Sequence, residues 1–501
     1  MYKKEIIEIL LNSGLEITPD ALDYLSFQNN PVNFLNKIIE KLKRMSNNSV
    51  FITLDLIKQL ISEKKYIDAK LDDEKRIISE KSSFESKVKD IEPDIEIIKD
   101  PTGRLYGKGQ VEDFRDLFRS RYKKIYLLLM ERSDVKGSTS ILEAKKLKDQ
   151  EITIVGIIQE KRETSSKNIY LEMEDFSDNI SVLIPHKEKE LINKALRVLP
   201  DEVICVKGSI WKNDIFMANE IIFPDTRNKN HNKLAEIPIY IALISDTHFG
   251  SKQFLKEKFQ NFIDWINGKS GNEEQREIAA QLKYIIIAGD IVDGIGVYPS
   301  QKEDLELINI NKQYETAANY LKQIPEYIKI IVIPGGSHDA IRKALPHPAI
   351  PKKYARQLYE LKNVIMLGNP TMVQIHGVQF LVFHGDSFDD IISSIPGLTY
   401  EHPEKAMQEL LIARHLAPSY GQKTGISPEI EDWMVIDEVP HVIHCGHVHI
   451  NGYKEYKGVK LINSGCFQSL TSFQKEKGIR PTPGMVPIIN LETLKVKILT
   501  F

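Results

Sequence analysis

Residues 239–248 read IYIALISDTH, a short apolar run that ends in four polar residues. A run of this length, rich in isoleucine, is typical of a strand that is buried on both faces. Segments with helical patterns separate it from further runs of the same kind. This alternation predicts a layered α/β domain over residues 231–501. The other runs lie at residues 284–288, 328–333, 379–383 and 441–445.

Carboxylate and imidazole side chains directly follow each of these runs. Residues at the carboxyl ends of strands gather at one edge of an α/β sheet, so we expect the five groups to meet there. Neighbouring glycines allow sharp turns and close approach of the backbone. The groups are Ser245-Asp246-Thr247-His248, Gly289-Asp290-Ile291-Val292-Asp293, Gly335-Gly336-Ser337-His338-Asp339, His384-Gly385-Asp386 and Gly446-His447-Val448-His449.

The mixture of carboxylate and imidazole without thiolate suits manganese, iron or zinc better than calcium or a structural zinc. Two such ions about 3.5–4 Å apart activate a water, clamp phosphoryl oxygens and stabilise the leaving oxygen. The set therefore indicates hydrolysis of a phosphate ester. Each residue alone has a structural explanation, since buried histidines often belong to the core and Asp after Gly often forms a turn. The occurrence of all five groups together favours a site.

Other polar residues near the five groups receive different roles. We expect Asp339 and Asp386 to orient neighbouring histidines, as carboxylates commonly do around metals, with a role in the turn as the alternative. The histidines that lie off the pattern are assigned to the surface or the core, and they are His376, His402, His441 and His444.

The bulk properties narrow the class of protein. A chain of 501 residues exceeds one ordinary core and predicts two to four domains. It contains no run of roughly 20 apolar residues and no secretory pattern at its start, so we expect an intracellular protein. The net charge of −3 leaves nucleic-acid binding to local patches or to a partner. The three cysteines lack C-x-x-C spacing and are expected in the core: Cys205, Cys445 and Cys466.

The region before the α/β domain begins with a helical module and a linker. Residues 1–63 have the pattern of short helices, with Gly14 as a helix end and Thr18-Pro19-Asp20 as a helix start. A small helical module of this kind more often docks to a protein than catalyses a reaction. Residues 64–109 are rich in Lys, Glu, Asp and Ser, which predicts a charged, flexible and largely disordered linker.

Residues 110–230 combine a predicted helix, at 111–132, with about five short strands. A helical pattern at residues 187–198 interrupts the strands. This order suits an oligonucleotide/oligosaccharide-binding (OB) barrel. Two interpretations of its surface stay open, because it either binds single-stranded nucleic acid or packs only against a neighbouring domain or subunit. The residues that favour the first interpretation are Lys161, Arg162, Lys167, Trp211 and Phe216.

The five groups resemble, in order, the motifs of calcineurin-like metallophosphoesterases, D-x-H, G-D-x-x-D, G-N-H-D, H-G and G-H-x-H, from Ile237 to the end of the chain. With the helical module, the linker and the barrel, nearly the whole chain resembles the small subunit of archaeal family D DNA polymerase. Further strings support this resemblance: RHLAPSYG at residues 414–421, NSG at 463–465, FQK at 473–475 and PTPG at 481–484.

The resemblance implies roles for individual residues. The implied ligands of the first metal are Asp246, His248, Asp290 and His449. The implied ligands of the second are Asp290 as a bridge, His384 and His447. Ser337 stands where the family usually has a metal-binding Asn, and Gly294 where many phosphatase relatives have Arg. His338 is implied to stabilise the scissile phosphate or to protonate the leaving 3′ oxygen.

The resemblance also implies a dinuclear 3′-to-5′ exodeoxyribonuclease, preferring manganese, that proofreads DNA 3′ ends as part of a DNA-directed DNA polymerase. Its implied partners are the large catalytic subunit, DNA and, through the complex, a sliding clamp, and its implied location is the cytoplasm at the nucleoid. A weakly active or inactive scaffold subunit is one rival. The retained charged cluster argues against it, since such a cluster is costly to bury. A free phosphatase is the other rival, and it leaves the barrel and the helical module unexplained.

Overall fold

A computed structural model of the chain divides it into two compact units, Met1–Phe84 and Glu85–Phe501. None of the described helices combines the length and apolar character that crossing a membrane requires. The structure describes residues 2–13, 15–26, 31–32, 35–36, 38–39, 51–54, 57, 84–147, 150–211, 214–228, 234–339, 342–471, 474–475 and 478–501.

The N-terminal unit combines helices with two very short strands. Helix α1 (Tyr2–Asn12) ends before Gly14, and α2 (Pro19–Ser26) begins at the proline of the predicted helix start. Strand β1 (Glu16–Ile17) pairs in parallel with β2 (Phe51–Ile52). The prediction of a purely helical module is wrong in this respect, because two-residue strands are too short to show an alternating pattern. Its core contains Ile6, Leu10, Ala21, Leu25, Leu35, Ile38, Ile39, Ile52 and Ile57.

The predicted linker is replaced in part by a strand. Residues 64–83 lie outside the described residues, but residues 85–109 belong to the second unit. There, β3 (Ile95–Lys99) pairs antiparallel with Thr371–Ile375 at the edge of a sheet. The prediction of a flexible linker that extends to residue 109 is therefore wrong. The edge position explains the error, because Glu96 and Lys99 give the strand the charged composition of a linker.

The middle of the chain forms a closed barrel of five strands, in the order β4-β5-β6-β8-β7, as the sequence predicted. Alternate residues of β5 point into its core, among them Ile169, Leu171 and Met173. A long helix precedes the barrel and a helix interrupts its strands. The elements are α3 (Val111–Met130), α4 (Ile141–Ala144), β4 (Ile152–Glu163), β5 (Ile169–Glu174), β6 (Asn179–Ile184), α5 (Lys189–Arg197), β7 (Val203–Ile210) and β8 (Phe216–Ile222).

The α/β domain contains a six-stranded sheet in the order β12-β11-β10-β9-β18-β19. Its first four strands are parallel, and β18 and β19 pair antiparallel. The elements are β9 (Tyr240–Ile244), α6 (Lys256–Ile266), α7 (Glu273–Ala280), β10 (Leu282–Ala288), α8 (Ile310–Leu321), β11 (Lys329–Ile333), α9 (Gly336–Asp339), α10 (Arg356–Tyr359), β12 (Val364–Met366), β18 (Met485–Asn490) and β19 (Val496–Thr500).

A second six-stranded sheet, in the order β16-β17-β15-β14-β13-β3, packs against the first. Side chains of both sheets share one core, in which Ile286 and Ile331 of the first sheet join Phe380 and Val442 of the second. All five apolar runs of the sequence are therefore strands of these two sheets. The remaining elements are β13 (Thr371–Ile375), β14 (Val378–Val382), α11 (Phe388–Ser394), α12 (Pro403–Ala413), β15 (Val442–Cys445), β16 (Gly452–Tyr456) and β17 (Val459–Asn463).

The RHLAPSYG string joins α3 and the barrel to the α/β domain. Arg121 of α3 is fully buried, and its Nε donates to Asp432 Oδ2 at 2.8 Å. The His415 ring nitrogen Nε2 lies 2.9 Å from the same oxygen. The Pro418 carbonyl accepts from the Arg121 guanidinium, and the Tyr420 backbone N–H donates to Asp201 of the barrel at 2.8 Å. We call this joint, residues 414–421 with Arg121 and Asp432, the clasp.

Candidate metal centre

The loops after β9, β10, β11, β14 and β15 meet around a cavity of about 380 Å³. The cavity is lined by members of four of the five polar groups, as expected if the carboxyl ends of the strands share one edge. The fifth group contributes His384, which is fully buried beneath the cavity, next to Asp290. The candidate residues that line the cavity are His248, Asp290, Ser337, His338, His447 and His449.

Asp246, His248 and His449 form one part of the centre. His449 Nε2 lies 3.3 Å from Asp246 Oδ1, and His248 Nε2 lies 3.9 Å from the same oxygen. The two Nε2 atoms are 3.1 Å apart. Three buried candidate ligand atoms therefore lie close together, and all three belong to the set that the resemblance implies for the first metal.

Asp290 lies between this group and the remaining histidines. Its Oδ2 is 3.3 Å from His384 Nε2, 3.7 Å from His248 Nε2 and 4.0 Å from His338 Nε2. A carboxylate with imidazoles on several sides has the position that a bridging ligand requires. The ligand atoms lie within 4.8 Å of one another in each of three groups: Asp246, His248 and His449; His248, Asp290 and His338; and Asp246, Asp290 and His384.

Several of these atoms lack partners in a way that fits a bound cation. Asp246 Oδ1, Asp290 Oδ1 and His384 Nε2 are buried and have no hydrogen-bond partner among the described residues. A buried polar atom without a partner costs free energy, and a carboxylate oxygen costs more than a neutral one. A divalent ion bound by these atoms would remove that cost. The donor set, oxygen and imidazole without thiolate, suits manganese, iron or zinc.

The backbone at the ligands adopts a conformation that is uncommon outside glycine. Among the described residues, five of the fourteen non-glycine residues with positive φ are candidate ligands. Such residues cost of order 1–3 kcal/mol each and cluster at functional sites. The angles are 51° at Asp246, 48° at His248, 50° at Asp290, 72° at His447 and 59° at His449.

Two glycines allow the ligand loops to approach each other. A Cβ atom at Gly289 would lie 2.5 Å from Gly335 Cα and 2.6 Å from His384 Nδ1. A Cβ atom at Gly335 would lie 2.6 Å from both Asp290 Oδ1 and His384 Nδ1. Side chains at these positions would push the ligands apart, so the glycines in the two motifs serve the packing of the centre.

The electrostatics of the centre keep its carboxylates ionised. Burial opposes the charge of Asp290, but His384, His338 and His248 hold its pKa well below the usual value. Burial likewise opposes the charge of Asp246, and the neighbouring His449 lowers its pKa. At neutral pH both carboxylates are therefore negative and available to a cation.

His447 is farther from these groups than the implied ligand set suggests. His447 Nε2 lies 3.8 Å from Asp389 Oδ2, and the His447 ring centre lies 5.2 Å from that of His384. Ser337 lies in the short helix α9 and lines the cavity. His447 does not belong to the compact groups of carboxylate and imidazole ligand atoms found among the described residues.

The carboxylates that contact histidines differ from those expected. Asp339 accepts hydrogen bonds from the backbone N–H groups of Ile291 and Val292, at 2.8 and 3.1 Å, so it supports the loop after β10. Asp386 Oδ2 accepts from Asn369 at 3.1 Å. The alternative role in the turn therefore describes Asp339 better than the orientation of an imidazole.

Asp293 and Asp389, which the sequence analysis did not select, take that place. Asp293 Oδ1 lies 3.1 Å from His248 Nδ1, and Asp389 Oδ2 faces His447. Asp293 had a signal, since it is the second aspartate of the Gly-Asp-x-x-Asp group. Asp389 had no such signal. Asp389 and Asp390 are adjacent and both follow the His384-Gly385-Asp386 group, so the sequence does not distinguish them.

The barrel surface proposed to bind single strands is not assembled as expected. Phe216 is fully buried in the core of the barrel, so it cannot stack on a base. Lys161 Nζ donates to the carbonyls of Leu196 and Val198, at 2.9 and 2.6 Å. Trp211 is 51 % exposed, Arg162 lies over the Tyr170 ring, and Lys167 forms an exposed ion pair with Glu163. The basic and aromatic set is therefore reduced to scattered side chains.

The remaining histidines and the cysteines occupy the places expected for them. His402 is exposed, and His376 Nε2 lies 2.8 Å from the Tyr284 hydroxyl. His441 and His444 are buried, and His444 Nε2 lies 3.0 Å from Ser464 Oγ. The three cysteines are buried and free, as predicted: Cys205, Cys445 and Cys466.

Known proteins resemble the chain over nearly its whole length. The family model for the B subunit of DNA polymerases alpha and epsilon matches residues 241–451. The DNA polymerase II small subunit of Methanothermobacter thermautotrophicus is 40% identical over 492 residues, which cover 98% of this chain and 99% of that protein. The protein of the same name from Pyrococcus horikoshii is 43% identical over 401 residues, 79% of this chain and 64% of that protein.

A solved structure described as a novel archaeal phosphodiesterase covers 52% of this chain and 100% of its own, at 14% identity and a TM-score of 0.27. That score is too low to bear on fold or function. The sequence similarity to the Methanothermobacter protein is sufficient by itself, because it covers 98% of this chain and 99% of that protein. The chain belongs to the family of the small subunits of archaeal DNA polymerase II, the family D polymerase.

Proposed function

We propose that the chain is a metal-dependent 3′-to-5′ exonuclease that removes nucleotides from DNA 3′ ends in complex with the large polymerase subunit. The observation that carries the proposal is the buried group of Asp246, Asp290 and His384, whose free ligand atoms lack partners among the described residues. A subunit that served only as a scaffold would gain nothing from burying two ionised carboxylates that each keep one oxygen without a partner among the described residues.

Two divalent ions, which we take to be manganese, would be held by the residues of the centre. The first would be bound by Asp246, His248, Asp290 and His449. The second would share Asp290 and be bound by His384 and His447, with Ser337 at the edge of its shell. When bound, such a pair of ions supplies an activated water and neutralises the charge that develops on the phosphate.

His338 is the residue that would act on the substrate. Its side chain lines the cavity, and its Nδ1 lies 2.5 Å from the carbonyl oxygen of Asp293, so Nδ1 carries a proton and donates it. Stabilising the scissile phosphate or protonating the leaving 3′ oxygen requires a second proton on Nε2. Burial lowers the pKa of His338, and the negative phosphate of a bound substrate would favour the protonated ring.

The size and walls of the cavity favour an unpaired DNA end. Its volume of about 380 Å³ is near the lower limit of roughly 300–1,000 Å³ for ligand pockets, so it suits one nucleotide rather than a duplex. Tyr298 and Tyr400 line it, and their hydroxyls donate to Asp304 and Asp389, at 3.1 and 2.5 Å. Aromatic rings fixed in this way provide surfaces on which a base can stack.

The same family assignment supports the partners of the proposed function. The large catalytic subunit would be the direct partner, DNA the substrate, and a sliding clamp a neighbour through the complex. We propose that the barrel and the α/β domain, about residues 151–501, form the docking unit for the large subunit.

A weakly active scaffold subunit remains the second candidate. It is favoured by Ser337 in place of a metal-binding Asn and by the contact of His447 with Asp389.

An assay with defined substrates separates these candidates. The purified chain, alone and with the large subunit, is incubated with manganese and 5′-labelled single-stranded DNA, a duplex with a mismatched 3′ end, or a chromogenic phosphomonoester. We expect stepwise shortening of the DNA from the 3′ end and little hydrolysis of the monoester. Asp290→Asn and His449→Asn should each abolish shortening and retain the circular dichroism of the parent, because each removes one ligand only.

The outcomes decide between the candidates. Shortening that persists at the parental rate in either variant would refute the metal centre as the nuclease site. DNA that stays intact in the presence of the large subunit would favour the scaffold, and rapid hydrolysis of the monoester alone would favour a phosphatase.

A further inference from the structure

A chain of buried hydrogen bonds leads from a histidine outside the centre to the carboxylate of Asp246. His444 Nε2 lies 3.0 Å from Ser464 Oγ, and Ser464 Oγ donates to Ser245 Oγ at 2.7 Å. The Ser245 hydroxyl in turn donates to Asp246 Oδ2. All four residues are at most 1 % exposed, so water does not compete for these bonds.

The hydrogen bonds of this chain can all be donated in the direction of Asp246. Burial lowers the pKa of His444 to about 3, so its ring is neutral and has one N–H to donate. The His444 Nδ1 atom is buried without a partner among the described residues, which is less costly for a lone pair than for an N–H group. The proton therefore sits on Nε2 and is donated to Ser464. Each hydroxyl also faces a backbone carbonyl, with Ser464 Oγ 3.2 Å from the Cys445 oxygen and Ser245 Oγ 3.1 Å from the Gly465 oxygen. The contact of each hydroxyl with the next member of the chain is the shorter one, and hydrogen bonds in such chains polarise one another.

The two carboxylate oxygens of Asp246 have different hydrogen-bonding environments. Oδ2 accepts from the Ser245 hydroxyl and from the His447 backbone N–H, the latter at 3.0 Å. Oδ1 has no hydrogen-bond partner among the described residues and lies 3.3 Å from His449 Nε2. The hydrogen bonds therefore fix the carboxylate plane and leave one oxygen for a cation.

Gly446 makes room for this arrangement. A Cβ atom at Gly446 would collide with Ser245 Oγ and would lie 2.5 Å from Asp246 Oδ2. The backbone after β15 thus lies directly against the last two members of the chain, and any side chain there would displace the hydroxyl from the carboxylate.

We propose that Ser245, Ser464 and His444 are positioning residues that hold Asp246 so that its Oδ1 faces the metal. The inference rests on the proposed function, because it assigns these residues to the binding of the first ion. None of the three touches the ion or the substrate. They act through Asp246, whose orientation and negative charge they maintain.

The test measures binding of manganese alone to the full chain, by the electron paramagnetic resonance signal of free Mn²⁺ and by the shift of the unfolding midpoint on adding Mn²⁺. Ser245→Ala should weaken the tighter site by about 10–100-fold, the usual effect of removing a group that supports a ligand. Ser464→Ala should weaken it less. The double variant should bind as Ser245→Ala does, because Ser464 acts only through Ser245.

Two further variants address the histidine. His444→Gln keeps an N–H donor near the position of Nε2 and should bind manganese as the parent does. His444→Leu should weaken binding by up to the loss seen in Ser464→Ala and no more, because His444 acts only through Ser464. Ser387→Ala is the matched control, since Ser387 is equally buried but donates to the Leu416 carbonyl instead. It should bind manganese as the parent does. If Ser245→Ala does not fold without metal, the manganese affinities of the Ser464 and His444 variants are compared with that of the parent instead.

The possible results separate this inference from the proposed function. Normal manganese binding by the parent and by all the variants would overturn the positioning role and leave the nuclease proposal intact. Equal losses in His444→Gln and His444→Leu, or in Ser387→Ala, would also overturn it, because packing alone would then explain the effect. A parent chain that binds no manganese would overturn both.

Discussion

Ser337 is the residue at which the candidate centre departs most from the motifs it resembles. An Asn carbonyl reaches farther than a Ser hydroxyl, so a metal next to Ser337 would have water at that position. We predict that hydrolysis requires more manganese than the tighter site alone needs, and that Ser337→Asn shifts the requirement lower. A change at the edge of a coordination shell alters affinity by about 10–100-fold. Rates measured against manganese concentration for both proteins check this, and superimposable curves would contradict it.

The sequence predicted which strand-end groups lie together better than it predicted the residues that contact them. Asp246, His248, Asp290 and His449 lie together because each follows a strand end, and the positions of the strands could be predicted from the apolar runs. Supports such as Asp293 and Ser464 come from loops whose course depends on packing, so spacing in the sequence cannot assign their partners. His444 shows the limit, since it was assigned to the core and is buried, yet it connects to Asp246.

At the scale of elements, the clasp contains a fully buried ion pair. Arg121 and Asp432 are 0 % and 1 % exposed at their side chains, and Asp432 also lies against His415. We predict that Arg121→Ala lowers the free energy of unfolding by about 3–5 kcal/mol, because it leaves a buried carboxylate short of a partner. Chemical denaturation measures the change.

The control for this prediction is an exposed pair of the same kind. Arg356 and Glu360 lie 2.8 Å apart on α10 and its end, with side chains 75 % and 56 % exposed. Arg356→Ala should change the stability by no more than about 0.5 kcal/mol, as expected for surface pairs. Equal effects of the two substitutions would show that burial of the clasp is unimportant.

The barrel carries a pH-dependent group in Glu202. Burial raises its pKa to about 8, from an ordinary value of 4.5. The folded chain therefore keeps a proton between these values that the unfolded chain has lost, so the free energy of unfolding falls as the pH rises. We predict a loss of roughly 2 kcal/mol between pH 6 and pH 8, and no such loss from this site in Glu202→Gln.

Urea denaturation of the metal-free proteins at pH 6, 7 and 8 checks the prediction for Glu202. As the pH rises from 6 to 8, the free energy of unfolding of Glu202→Gln should increase relative to that of the parent. Parallel pH dependence in the two proteins would show that Glu202 is ionised in the folded state.

Elements were predictable where they are long and buried. The five apolar runs and the helix Val111–Met130 appear as expected, because burial on a defined face imposes a period on the sequence. Strand β3 escaped prediction because an edge strand needs only one paired side and tolerates charge. The pairing of β1 with β2 escaped because two residues cannot display a period.

At the scale of the whole molecule, the boundary between the units can be tested by truncation. We predict that removing residues 1–84 leaves a folded chain that binds the large subunit, because Glu85–Phe501 is compact by itself. Removing residues 1–109 should lower the thermal midpoint and cause association, because it strips β3 from the sheet and exposes the edge of β13.

Thermal unfolding and co-elution with the large subunit compare the two truncations. Loss of the complex on removal of residues 1–84 alone would place a docking surface in the N-terminal unit. Equal behaviour of both truncations would show that β3 contributes little to the domain.

The left-handed backbone at the candidate ligands decides which substitutions can serve as probes of this protein. Asparagine visits that conformation readily, whereas β-branched side chains are genuine outliers there. Asp290→Asn thus removes the negative charge and keeps the loop conformation unstrained. Asp290→Val would instead distort the main chain, so its effect would not report on the carboxylate. Random mutagenesis of these loops should accordingly return asparagine and glycine among the inactive but well-expressed clones, and valine, isoleucine and threonine among the insoluble ones.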